Sequence, residues 1–112
     1  MIRFIAKITL AACLSTIACL TVAAQQAASV SISVKNHRFQ PAEVHAPANV
    51  PIELHIKNLD TAPMEFESVS LRVEKVVTGN GAGIIRIRPP APGRYEFFDD
   101  FHPETRGALV TK

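Results

Sequence analysis

Ile52, Leu54 and Ile56 alternate with Glu53, His55 and Lys57. Side chains along a strand point to opposite faces with period two, so this stretch has one buried face and one wet face. A chain built of such stretches must fold as layered sheets with their apolar faces together. The pattern recurs. Val30, Ile32 and Val34 alternate with Ser31, Ser33 and Lys35, and Ile85 and Ile87 with Arg86 and Arg88. Met64, Phe66 and Ser68 share one face of a further strand, with Glu65, Glu67 and Val69 on the other. Tyr95 and Phe97 alternate with Arg94, Glu96 and Phe98. Val44 marks a short second strand ended by Pro47-Ala-Asn49, and Ala108-Leu-Val110 a short closing one. Leu71 to Val77 suits either a strand or one helical turn. Turn residues separate these runs: Asn36 to Pro41, with Phe39 turning inward, Asn58 to Pro63, and Pro89 to Gly93. Thr78 to Gly83 reads as a flexible glycine-rich loop without the strand–helix setting of a phosphate cradle. About seven short strands, no internal repeat and regular turns predict an all-β sandwich.

The N-terminus follows a different rule. Arg3 and Lys7 precede an uncharged, apolar run from Ile8 to Val22, and Val22-Ala23-Ala24 offers small residues before Gln25. That is the pattern of a cleaved secretory signal peptide. The run falls short of the roughly 20 residues of a membrane span. Leu10-Ala-Ala-Cys13 also reads as a lipid-attachment site, and Thr16-Ile-Ala-Cys19 as a weaker one; the early position of Cys13 ranks lipidation second. The expected organisation is a signal peptide over 1–24, a flexible leader over 25–30 and a single domain over 31–112. Cleavage leaves 88 of the 112 residues, and Lys plus Arg falls from 12 to 10 against 10 acidic residues. The exported chain is then near neutral, which gives no support for a nucleic-acid surface. Both cysteines leave with the signal, so the domain has neither disulfide nor thiolate.

Between the aromatic strand and the closing strand, Pro103 and Gly107 mark a loop that also carries Asp99, Asp100 and His102. A carboxylate and an imidazole three residues apart on such a turn can reach one metal ion, and both are ordinary ligands of zinc, copper or iron. Asp100 points the other way if the strand continues. His37, just after the first strand, is a candidate second imidazole. Met64 is either core filler or a thioether ligand, and Glu65 and Glu67 are either an exposed strand face or ligands. Alternation alone puts Met64 and Glu67 on opposite faces, so a strand irregularity is needed to use both. His45 and His55 fall on polar phases of their strands.

These residues sit in a frame that resembles the cupredoxins. Their plastocyanin-like form ends an aromatic strand in Cys-x-x-His, followed by a Met, with a further His after an Asn…Pro motif. Asp99 stands at the Cys position, His102 at the His position, Gly107 at the Met position, and Met64 at the second His position, in Asn58-Leu-Asp-Thr-Ala-Pro-Met64. Three of the four blue-copper ligands have therefore changed. The resemblance spans roughly Ser31 to Lys112 and implies a cupredoxin-like Greek-key β-sandwich. Phe39-Gln-Pro41, Met64-Glu-Phe-Glu-Ser68 and Phe97-Phe-Asp-Asp-Phe-His-Pro103 resemble the cupredoxin-like periplasmic proteins associated with high-affinity iron permeases. What that implies is a periplasmic accessory protein holding a copper or iron ion through Asp99, His102, Glu67, Glu65, Met64 and His37. It also implies a role in ferrous iron oxidation or delivery, with an iron permease and a periplasmic iron-binding protein as partners. The competing reading is a sandwich that binds a partner protein without metal. A blue-copper site is excluded by the missing thiolate.

Overall fold

The inward residues of the best alternating stretch are sealed: Ile52, Leu54 and Ile56 are each 1% exposed. They belong to β4 (Ile52–Asn58), the centre of a four-stranded sheet in a computed structural model that describes residues 3–4, 11–19 and 26–112. The signal-peptide cleavage site and both ends of the apolar run before it lie outside the described residues. Cys13 and Cys19 are exposed and unpaired. Among the described residues, no helix is long and apolar enough to cross a membrane.

The two-layer, all-β expectation holds, with nine strands rather than about seven among the described residues. One sheet has the order β2 (Arg38–Gln40), β1 (Ala28–Lys35), β4 and β7 (Ala82–Ile87). The other has the order β3 (Glu43–Ala46), β9 (His102–Thr111), β8 (Gly93–Asp99), β5 (Met64–Ser68) and β6 (Val73–Val77). Strand β1 starts at Ala28, within the stretch read as a flexible leader, because its backbone pairs in parallel with β4 from Ala28↔Ile52 onward. Of Leu71 to Val77, Val73 to Val77 resolve as strand by pairing with β5, while Leu71 and Arg72 belong to the turn before it. The glycine-rich stretch is shorter than expected: Gly81 N–H closes a turn on the Thr78 carbonyl and β7 begins at Ala82.

The apolar faces meet around three phenylalanines. Phe97 packs perpendicular to Phe39 and tilted on Phe66, with ring centroids 4.9 Å apart in both pairs. All three rings are buried. Aromatic pairs of this geometry add about 0.5–1.5 kcal/mol each beyond the area they bury. Phe66 is the register partner of Asp99. The aromatic centre of the core therefore lies directly beneath the end of β8.

Candidate metal centre

The largest departure from expectation is at that end. The chain between Asp99 and Gly107 is not a long loop: only Asp100 and Phe101 separate β8 from β9, and Asp99 pairs with His102 across the turn. The next register pair is Phe98↔Arg106, so Pro103, Glu104 and Thr105 form a bulge. Gly107 lies inside β9 opposite Phe97 rather than in a loop. A Cβ there would sit 2.5 Å from the Phe97 ring and 2.6 Å from the Ala42 carbonyl oxygen. Proline is tolerated at 103 because β3 pairs only with the far end of β9, from Ala108 to Thr111.

Asp99 is 1% exposed and fully engaged. Its Oδ1 accepts the N–H groups of Glu65 and Phe101, both at 3.0 Å, and its Oδ2 lies 3.1 Å from His102 Nδ1. A buried carboxylate needs such partners. The His102 side chain is one-third exposed.

His37 arrives from the other sheet. Asn36 and His37 both have positive φ, 52° and 56°, between Lys35 and Arg38, which pair across β1 and β2. A two-residue hairpin with both φ angles positive favours Asn-Gly. Asn fits the first place, but a histidine holds the second at a conformational cost of order 1 kcal/mol. Three neighbours impose this geometry. Asp60 accepts the N–H groups of Asn36 (2.7 Å) and His37 (3.0 Å). Buried Thr105, in the β9 bulge, donates its hydroxyl to the His37 carbonyl at 2.6 Å. Asp60 is itself placed by Asn58, whose Oδ1 accepts the Asp60 N–H at 3.0 Å while its Nδ2 donates to the Ala62 carbonyl at 2.8 Å. The His37 ring comes to rest 4.1 Å from that of His102, centroid to centroid. Hydrogen bonds, first from the His37 N–H and then from the Asn36 N–H, hold the Asp60 carboxyl below its ordinary range; the nearby imidazoles act in the same direction.

Ligand atoms of His37, Asp99 and His102 lie within 4.8 Å of one another. The expected carboxylate ligands Glu65 and Glu67 form a separate group. Met64 is 2% exposed and belongs to the hydrophobic core. Glu65 and Glu67 point out of the opposite face of β5, as alternation requires, and gather there with Asp100 within 4.8 Å. Partial burial and then repulsion from Asp100, Glu74, Glu67 and Asp99 push the Glu65 carboxyl up. The strand irregularity needed to unite Met64 with Glu67 is absent from β5, and the bulge lies in β9. His45 and His55 face Glu43 and Glu53 on their own strands, at 3.3 and 3.0 Å. Sequence reading singled out none of Asn58, Asp60 and Thr105. The first two had a signal, an Asn-x-Asp in a turn-rich connection; Thr105 had none.

A sandwich of this topology, with an imidazole pair and a carboxylate at one end, defines a class. The cupredoxin-like domain family matches residues 4–111, and the chain belongs to that family. Protein RP394 of Rickettsia prowazekii (strain Madrid E) is 40% identical over 81 residues, 72% of this chain and 65% of RP394. The chain thus spans less than two thirds of that relative's length. Among solved structures, auracyanin A, a blue copper protein of Chloroflexus aurantiacus, matches with a TM-score of 0.65 at 14% identity, over 78% of this chain and 100% of its own. The metal-binding domain of the Streptococcus pneumoniae D39 Cu(I)-exporting ATPase CopA, solved with Cu(I), gives 0.65 at 16% identity, over 75% and 84%. Amicyanin of Paracoccus versutus gives 0.59 at 18%, over 78% and 84%. At these identities the likeness is one of fold.

Proposed function

We propose that this protein is an exported, periplasmic cupredoxin-like accessory protein that binds one copper or iron ion at the His37–Asp99–His102 end of the sandwich and serves iron uptake. The observation that carries the metal reading is His37: an imidazole kept at a turn position suited to glycine, its ring 4.1 Å from that of His102 and tilted by 40°. The donor set fits the metal. Two imidazoles with a carboxylate and no thiolate suit Cu(II), Fe(II) or Fe(III) better than the soft site of a blue copper protein. Such an ion would supply one-electron chemistry or serve as cargo. Support for iron uptake comes from the resemblance of Phe39–Pro41, Met64–Ser68 and Phe97–Pro103 to the iron-permease-associated proteins. On that reading an inner-membrane permease and a periplasmic iron-binding protein are the partners.

The test is titration of the purified protein with Cu(II) and, anaerobically, with Fe(II), followed by EPR. We expect one ion per chain, nitrogen hyperfine structure in the copper signal and no intense thiolate-to-copper absorption. His102→Ala should remove this binding while leaving the apo fold intact, and His55→Ala should leave it unchanged. Equal affinity in the wild type and His102→Ala would sink the assignment in favour of a metal-free protein-interaction sandwich. Loss of iron-dependent growth on deleting the gene, restored by the wild type but not by His102→Ala, would support the iron-uptake role; wild-type growth of the deletion strain would refute it.

A further inference from the structure

We infer that the seam between β6 and β7 is a docking groove for an extended, acidic segment of a partner protein. The groove shares no residue with the His37–Asp99–His102 cluster, so the inference stands apart from the metal reading. Strands β6 and β7 are open edges of the two sheets and lie beside each other. Three hollows with shared lining residues, of about 700, 410 and 410 Å³, run along them. Lys57, Lys75 and Arg86 line the first, Arg72, Lys75 and Arg86 the second, and Arg72, Arg86 and Arg88 the third. All five cations are exposed, and none makes an ion pair among the described residues. Elsewhere on this surface an arginine takes the carboxylate within its reach: Arg94 meets Glu43 at 2.8 Å. Arg86 has Glu53 directly opposite across the strand pair, yet Glu53 lies 3.0 Å from His55 instead. Glu74, the one carboxylate lining the hollows, shares the outward face of its register partner Glu67.

Like charges gathered in this way repel. A partner's carboxylates remove that cost and accept paired N–H bonds from the guanidiniums. Arg72 points the same way: it holds a φ of 56° in the β5–β6 turn, where glycine is free of strain. The shape selects the occupant. At about 3.3 Å per residue, β7 spans roughly 20 Å, so the cations form a row rather than a pocket for one small anion. Exposed Ile84 and half-buried Leu71 and Val73 add apolar contacts along that row. A concave row admits a chain segment, whereas a lipid bilayer presents a flat surface. A second copy of this chain carries Glu65, Glu67 and Asp100 on the outer side of a sheet, a surface that does not enter a groove.

The experiment is 1H–15N NMR titration of the purified protein with a synthetic peptide of glutamates interrupted by leucines. The control peptide has glutamine in place of glutamate. We expect saturable binding of the acidic peptide, with shifts confined to the β6–β7 seam, weakening as salt rises. The control should not bind. Arg86→Gln combined with Arg88→Gln should weaken binding about tenfold or more, and Lys112→Gln should leave it unchanged. If the double variant fails to fold, Lys75→Gln and the wild-type shift map decide. No binding, an equal loss in Lys112→Gln, or shifts scattered over the other surface cations would each overturn the inference. So would seam shifts produced by phosphatidylglycerol vesicles but not by the peptide, which would assign the groove to a membrane surface. A wild-type dimer in contact through the seam would overturn it as well.

Discussion

Every hydrogen bond His37 makes among the described residues runs through its backbone: its N–H to Asp60 and its carbonyl from Thr105. Glycine would keep both and relieve the positive φ. His37→Gly should therefore raise stability by up to about 1 kcal/mol, after allowing for glycine's greater unfolded-state entropy. The same variant should bind metal more weakly, so thermal unfolding and titration should move in opposite directions. Asp60 predicts a pH dependence. Its folded pKa lies below the unfolded value of about 3.9, so its stabilisation is complete above that value and is lost as pH falls through the folded pKa. The wild type's advantage over Asp60→Ala, about 1 kcal/mol at neutral pH for two partly exposed charge-assisted bonds, should shrink on acidification in urea titrations. Glu65 has the opposite sign. Its folded pKa is raised, so its contribution is fully present below the unfolded pKa and is lost as pH rises through the folded one. Glu65→Gln should stabilise the fold at neutral pH. Met64→Leu conserves core volume and should cost less than about 1.5 kcal/mol, with metal affinity unchanged. A fall in affinity with intact folding would reinstate the thioether as a ligand.

Strand β9 shows what was legible in the sequence. Its far end, Ala108 to Val110, reads as strand because Leu109 and its neighbours are apolar, and there they pair with β3 and β8. Its near end carries Pro103, Glu104 and Gly107, which local propensity assigns to a loop. Tertiary context overrides that assignment. The bulge absorbs Pro103 to Thr105, and Gly107 is small because Phe97 and the Ala42 carbonyl occupy the space a side chain would need. Period-two alternation located the faces of β1, β4, β5 and β7 and turned Glu65 and Glu67 outward. It could not reveal that the β1–β2 turn and the β9 bulge meet, because that contact joins residues 68 apart through one threonine hydroxyl. Thr105→Val should cost about 1 kcal/mol and loosen the His37 ring against His102, detectable as altered ring shifts in NMR spectra. Gly107→Ala should cost about 1–3 kcal/mol through overpacking, read from urea unfolding.

At the level of the whole molecule, the two sheets each have two open edges, and all four are protected. Strands β2 and β3 are only three and four residues long. Strands β6 and β7 carry Lys75 and Arg86, charges that discourage pairing with another chain's strand. The parallel union of β3 with the end of β9 joins Glu43–Ala46 to Ala108–Thr111. A chain emerging N-terminus first thus exposes His37 long before its partners exist. Asp99 and His102 reach it only when the closing strand docks. Such distant pairings make folding slow relative to local hairpin formation, and they make the site a property of the finished molecule. On the proposed metal-binding reading, an ion present at 100 times its dissociation constant would stabilise the closed molecule by about 2.7 kcal/mol, so opening of the last strand would first require the ion to leave.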